Sequence, residues 1–131
     1  MFFLDTSYFE GLMSSRDVHH NDSLKIQEYI DDSNEKTVIN TTVLVETLNR
    51  SVKTNILAEN IYDVLKSNHQ IIKLTAYDYL TALEVNKHFG NSINYSDCTI
   101  IHTMMEIGVR NIVTFDSDFN KIEQFNVISS I

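Results

Sequence analysis

Two periodicities run along this chain, and the switches between them outline its elements. Short apolar runs occur at FFL (2–4), within 37–41, at QIIKL (70–74), at NIVTF (111–115) and, more weakly, at NVIS (126–129). Runs this short cannot make a helix and read as buried strands. Between them, apolar residues recur at helical spacing. Ser7 and Glu10 have the spacing of a capping box for a helix through Met13, and a polar stretch over 14–22 precedes a second helix near 23–32, with Ile26, Tyr29 and Ile30 on one face. Thr42 is placed to cap a helix carrying Val43, Leu44, Glu46 and Leu48, and another helix spans about 54–67 with Leu57, Ile61, Val64 and Leu65 at core spacing. Thr75 and Asp78 form a second capping box, opening a helix to about His88, and the helix from Ser96 to about Ile107 stops at Gly108. Strands alternating with helices predict an α/β fold: a three-layer α/β/α sandwich with a central, mainly parallel sheet.

Composition adds bounds to that picture. The chain has 131 residues, 43% of them apolar and 21% charged, which fits one globular domain with a real core. No linker, repeat or low-complexity stretch interrupts it, and residues 1–131 read as a single domain. No apolar run approaches the roughly 18 residues that span a bilayer. The start of the chain lacks the basic residues and cleavage site of a signal peptide, so the reading is of a cytoplasmic protein without membrane contact. The single cysteine, Cys98, excludes an internal disulfide and fits a reducing compartment.

The placement of acidic residues carries the chemistry. Asp5, Glu46, Asp97 and Asp116 lie in FFLDTS (2–7), VINTTVLVETL (38–48), INYSDCTII (93–101) and NIVTFDSDF (111–119), at a strand end or on the helix that follows one. In a parallel α/β sheet the carboxyl ends of the strands share one edge, so these side chains converge in one crevice. Like charges about 4 Å apart cost on the order of 4 kcal/mol per pair at an effective dielectric near 20. A hard divalent cation neutralises such a cluster, and the pattern therefore predicts a metal site. Singly, each residue has a structural role open to it: Asp5 as a helix cap, Asp97 in a favourable first turn, Glu46 paired with Arg50 four residues on, Asp116 and Asp118 as solvated turn residues. Jointly these roles do not require all four to share one sheet edge.

Charge and the remaining reactive residues modify this only slightly. The net charge of −8 argues against a simple nucleic-acid binding module. Asp5, Glu46, Asp97, Asp116 and Asp118 supply five of those negative charges, however, and two divalent cations would offset four. Arg16, Arg50, Lys53, Lys87 and Arg110 are scattered, and Arg50 and Lys53, just beyond Glu46, are the best placed to meet a phosphate backbone. His19 and His20 read as a solvated loop. His102 and Glu106 read as a helix-surface pair, since zinc would need a second histidine there. Cys98 reads as core, Met104 and Met105 as a face toward core or partner, and no glycine-rich phosphate loop is present.

Four segments together resemble the PIN domain family, and within it the single-domain VapC-type ribonuclease toxins. They are an apolar strand into an aspartate and hydroxyl residues (Phe3-Leu4-Asp5-Thr6-Ser7), a glutamate on the helix after strand two (Glu46 in VLVETL), Tyr95-Ser96-Asp97 opening a helix, and the T-x-D-x-x-F run Thr114 to Phe119. The resemblance covers essentially the whole chain. It implies metal-dependent hydrolysis of RNA phosphodiester bonds, with Mg²⁺ or Mn²⁺ suited to the oxygen ligands. Asp5, Asp97 and Asp116 would hold the metal with Asp118 as a further ligand, and Glu46 would ligate or orient the attacking water. Thr6 would bond a ligand carboxylate or the phosphate. The resemblance also implies a homodimer and an antitoxin protein covering the acidic groove, with the exposed apolar residues of the helices at 23–32 and 54–67 as interfaces. The alternative is a PIN-like scaffold that binds RNA or protein without cutting. A receiver or phosphatase domain is excluded because no second aspartate follows Asp5 and Lys121 is poorly placed.

Overall fold

The computed structural model describes all 131 residues. In chain order its elements are β1 (Phe2–Leu4), α1 (Thr6–Met13), α2 (His20–Ser33), β2 (Thr37–Asn40), α3 (Thr41–Lys53), α4 (Ala58–Asn68), β3 (Gln70–Ile72), α5 (Ala76–His88), α6 (Tyr95–Ile107), β4 (Asn111–Val113), a 3₁₀ turn (Ser117–Lys121) and β5 (Asn126–Ile128). The strands form one sheet in the order β3-β2-β1-β4-β5, and every pair is parallel. The central strands are apolar on both faces because both faces are covered. Phe3, Leu4, Val38, Ile39, Ile112 and Val113 are all fully buried.

Connectivity puts a seam in the middle of the sheet. From β1 the chain winds outward through α1 and α2 to β2, then through α3 and α4 to β3; α5 and α6 carry it back across to β4. Right-handed crossovers place the first four helices on one face and the last two on the other. The winding reverses between β1 and β4, which is where open α/β sheets form their crevice. Phe3 pairs with Val38 on one side and with Ile112 on the other. Helix α6 is buried continuously from Asp97 to Met104 because it is sandwiched between the sheet and α5.

Asn40, fully buried, links the two faces. Its side-chain oxygen accepts from Val43 N–H at 3.0 Å and caps α3, while its amide donates to Thr103 Oγ1 at 3.0 Å on α6. Thr99 donates to Thr42 beside it at 2.9 Å. The cap of α3 is therefore Asn40 and not Thr42, whose hydroxyl serves the α6 contact instead. Helix α1 likewise begins at Thr6 behind Asp5, without the Ser7–Glu10 capping box. The Thr75–Asp78 box is formed as expected, and Gly108 ends α6 in the left-handed conformation at φ 73°.

Histidines account for two further differences. Helix α2 starts at His20, not near residue 23, and the His19–His20 pair is docked rather than solvated. His20 Nδ1 lies 2.6 Å from the Gly11 carbonyl, and the His19 ring stacks on Phe115. Gly11 permits this approach, since a Cβ there would lie 2.1 Å from Ser23 Oγ. His102 is buried and bonds Asp78 at 3.0 Å, with Glu106 at 3.8 Å, so it joins α6 to α5 and is not a surface pair. Helix α4 is shorter than the 54–67 periodicity implied: Leu65 is buried, whereas Leu57 and Val64 are exposed. Cys98 and Met104 are core, and Met105 is exposed. No helix is long and apolar enough to cross a membrane.

Replacing Asn40 with Ala removes a cap and strands the Thr103 side of the seam. The expected loss is about 2–4 kcal/mol, read as a lower midpoint in urea unfolding with an unchanged slope.

Candidate functional site

At the seam, the sheet's carboxyl edge opens into a cleft of about 350 Å³ lined by twelve residues, none of them hydrophobic. Asp5, Thr6, Glu46, Arg50, Lys53, Asp97 and Asp116 all line it, together with Ser7, Glu10, Asn49, Asn94 and Ser96. Each acidic residue arrives from a different element. Asp5 is the first residue past β1, where its N–H still donates to Val113 O at 3.0 Å. Glu46 lies midway along α3, Asp97 in the first turn of α6, and Asp116 just past β4. Four of the sequence-predicted carboxylates therefore meet in one place.

Burial and hydrogen bonds give each carboxylate a distinct environment. Asp5 is 5% exposed and occupies the N-cap position of α1, yet its side chain makes no cap bond. Its Oδ2 accepts instead from Thr114 Oγ1 at 2.7 Å and Ser7 Oγ at 3.0 Å. The same hydroxyls accept the Asp116 and Phe115 N–H groups, each at 3.0 Å. One carboxylate oxygen is thus held rigidly while the other is left for the cleft. Burial raises the Asp5 pKa, against the opposing pull of these donors. Glu46 Oε1 accepts from Thr6 Oγ1 at 3.0 Å, and burial raises its pKa too.

Asp97 is strongly perturbed. Burial, then the charges of Asp5 and Asp116, push its pKa up to about 8. Its carboxylate oxygen, with those of Asp116 and Asp118, falls in a group whose members all lie within 4.8 Å of one another. Asp116 caps the 3₁₀ turn by accepting from Asp118 N–H at 2.9 Å, so capping and a place in the cluster coexist. Asp118 stands at the rim and pairs with Lys121 at 3.0 Å.

No cation pairs with Asp5, Asp97 or Asp116. Arg50 bonds Glu10 on α1 at 2.8 Å, not Glu46 four residues before it. With Asp5, Asp97 and Asp116 facing one another unpaired, the donor set is oxygen-only and hard, which fits a divalent cation such as Mg²⁺ or Mn²⁺. Ser7 and Thr114 are the residues sequence reasoning passed over. Ser7 was assigned to a cap, and Thr114 was part of a motif with no role; a hydroxyl two residues before an acidic strand-end residue was the available signal.

Residues 2–124 match the family model of the PIN domain. Among solved structures, the fold is similar to Mycobacterium tuberculosis VapC20, a sarcin–ricin loop cleaving toxin, with a TM-score of 0.74 and 22% identity over 92% of this chain and 94% of that one. It is similar to a toxin–antitoxin complex from Klebsiella pneumoniae (TM-score 0.73, 16% identity, 98% and 96% covered). A third likeness is to VapBC2 from Rickettsia felis bound to a promoter DNA fragment (TM-score 0.71, 17% identity, 97% and 96% covered). Among curated proteins none matches the sequence.

A raised carboxyl pKa has a defined sign for stability. In metal-free protein, folded Asp97 keeps its proton to about pH 8, whereas the unfolded chain releases it near 3.8. Stability is therefore greatest below about pH 4 from this group and falls as pH rises toward 8. Asp97→Asn should flatten that slope and stabilise the metal-free protein at pH 8 by on the order of 1–3 kcal/mol. Melting curves of both proteins across pH in chelator check this; a wild type that grows more stable toward pH 8 contradicts it. Thr114→Val keeps the shape but removes the strongest donor to Asp5. Calorimetric titration with Mn²⁺ should show affinity reduced about 10–100-fold.

Proposed function

The chain belongs to the PIN domain family, and on that premise we propose that it is a metal-dependent endoribonuclease and the toxin of a toxin–antitoxin pair. The observation that carries the proposal is the convergence of Asp5, Glu46, Asp97 and Asp116 on one cleft without apolar lining and without a neutralising cation. Asp5, Asp97 and Asp116 would hold Mg²⁺ or Mn²⁺, with Asp118 at the rim. Bound there, such an ion lowers the pKa of a coordinated water and offsets the negative charge of a phosphodiester.

The chain's own residues supply the rest. Glu46, held by the Thr6 hydroxyl and with a raised pKa, is suited to orient the attacking water and take its proton. Ser7 and Thr114 fix Asp5 by one carboxylate oxygen at the cleft. Arg50 and Lys53, on the last turns of α3, also line the cleft and meet the phosphate backbone. Two cations offer little electrostatic binding, so the substrate is an RNA whose folded shape presents the cleaved bond. A fold shared with VapC20, a sarcin–ricin loop cleaving toxin, supports that substrate class.

Partners follow from surfaces and from the solved complexes. Between α1, α2 and α4 lies a groove of about 680 Å³ whose apolar wall includes Phe9, Leu12, Ile30, Ile61 and Leu65. It is shaped to receive the apolar face of an antitoxin helix; of the similar folds, the one from Klebsiella pneumoniae is in a toxin–antitoxin complex and the one from Rickettsia felis in VapBC2 bound to promoter DNA. On α5, Tyr77, Leu80 and Leu83 are exposed and offer a face for a homodimer. The protein works in the cytoplasm, where its RNA and antitoxin are.

Total RNA and transfer RNA incubated with the protein and Mn²⁺ should be cut, and chelator should stop the cutting. Asp5→Asn and Asp97→Asn should each lower the rate by at least about 10²-fold while both variants stay folded by circular dichroism. A folded, metal-binding wild type that leaves every RNA intact would overturn the enzymatic reading.

A further inference from the structure

The cleft that holds the carboxylates has no aromatic or apolar wall, so nothing inside it can stack on a nucleobase. Its electrostatics are equally unhelpful. The chain carries a net charge of −8, and of the two cations lining the cleft Arg50 is already paired with Glu10. With only Lys53 unpaired, an uncharged contact beside the cleft would add grip on a nucleotide that these charges supply poorly.

One rim feature has the required form. The rings of His19 and Phe115 stack with centroids 4.1 Å apart and planes 5° from parallel. Phe115 stands between Thr114, whose hydroxyl bonds Asp5, and Asp116, a member of the acidic cluster. Its N–H donates to Ser7 Oγ at 3.0 Å, and Ser7 in turn bonds Asp5. The stack is thus tied to the carboxylates through two hydrogen bonds. His19 is pinned on the other side: its N–H donates to Asp17 Oδ1 at 2.8 Å and its carbonyl accepts from Ser23 N–H at 2.9 Å. Close packing of α2 on Gly11 holds that segment in place.

Both rings are half-buried, and neither ring nitrogen of His19 is hydrogen-bonded within the protein. A core histidine would have those nitrogens paired; here they are free to meet a base edge or a sugar hydroxyl. We propose that the stacked pair His19–Phe115 is a nucleobase platform: a base adjacent to the cleaved bond extends the stack on His19, and this contact selects which nucleotide is presented to the carboxylates. The inference rests on the ribonuclease reading. Stacking is neutral and tolerant of base identity, with the ring nitrogens adding preference. An acidic protein can use it where phosphate contacts are few.

The test compares wild type with His19→Ala, His19→Phe and His19→Leu on one RNA that the wild type cuts, using initial rates and fluorescence anisotropy of the labelled RNA in Ca²⁺. His19→Ala should raise KM and weaken binding about tenfold or more, the scale of one lost base stack, with kcat and melting temperature little changed. His19→Phe, which keeps a π-face, should restore affinity while altering the preferred base next to the cut. His19→Leu, which covers Phe115 equally well, should not restore it. Rescue by Leu would make His19 a shield for Phe115 and overturn the platform, as would unchanged KM and cleavage pattern in His19→Ala. In both of those cases the wild type still cuts and the nuclease reading stands. A wild type that neither cuts nor binds RNA would overturn both.

Discussion

Mutual repulsion among buried carboxylates is the constraint around which this molecule is arranged. Asp5 and Asp97 are nearly inaccessible to water, face Asp116, and have no cation beside them. Left alone, such a cluster relaxes by taking up protons or by moving apart. The fold blocks the second route. Asp5 is fixed at the end of β1 by the ladder to β4 and by two hydroxyls; Asp97 is fixed in a helix buried on all sides; Asp116 is fixed by the turn it caps. What remains is protonation or a metal, and the raised pKa values of Asp5, Glu46 and Asp97 are the metal-free form of that choice.

Holding the cluster together requires that the two faces of the sheet be in register with each other. Glu46 rides on α3 from one face and Asp97 on α6 from the other. The Asn40 amide and the Thr42–Thr99 contact join these helices directly across the end of β2. A buried amide that caps one helix and bonds another costs dehydration, and it survives because each of its donors and acceptors has a partner. Packing alone would allow α6 to slide along the sheet. The polar seam gives the helix pair one position, and with it one geometry for the carboxylates.

How much of this was legible in the sequence follows from the range of each interaction. Strand ends and the acidic residues beside them were readable because apolar runs and caps are local, and parallel topology then converts order along the chain into proximity at one edge. The Thr75–Asp78 box was readable for the same reason. Long-range side-chain bonds were not. Thr42 and Asn40 are both plausible caps in isolation, and only Thr99 and Thr103, some sixty residues away, decide between them. Ser7 looked like half of a capping box; its hydroxyl is taken by Asp5 and Phe115 instead. His102 looked like a surface residue because its partner, Asp78, lies on another helix. Leu57 and Val64 have core spacing but no core above them, since periodicity shows which face is apolar and not whether anything covers it.

A net charge of −8 works against the nucleic-acid substrate proposed for this chain, and the structure places that charge unevenly. A large part of it is folded into the cleft, where each bound divalent cation would offset two charges before a phosphate approaches. On the cleft wall Arg50 is spent on Glu10, and at the rim Lys121 is spent on Asp118, so neither forms a free cationic track. On the ribonuclease reading, long-range attraction would be weak and association would depend on short-range fit at the seam between β1 and β4. Discrimination gains from that arrangement. A strongly basic groove grips any nucleic acid and must then sort what it holds, whereas on the same reading a cleft that attracts phosphate through a bound metal would engage a strand whose shape brings one phosphate to the carboxylates.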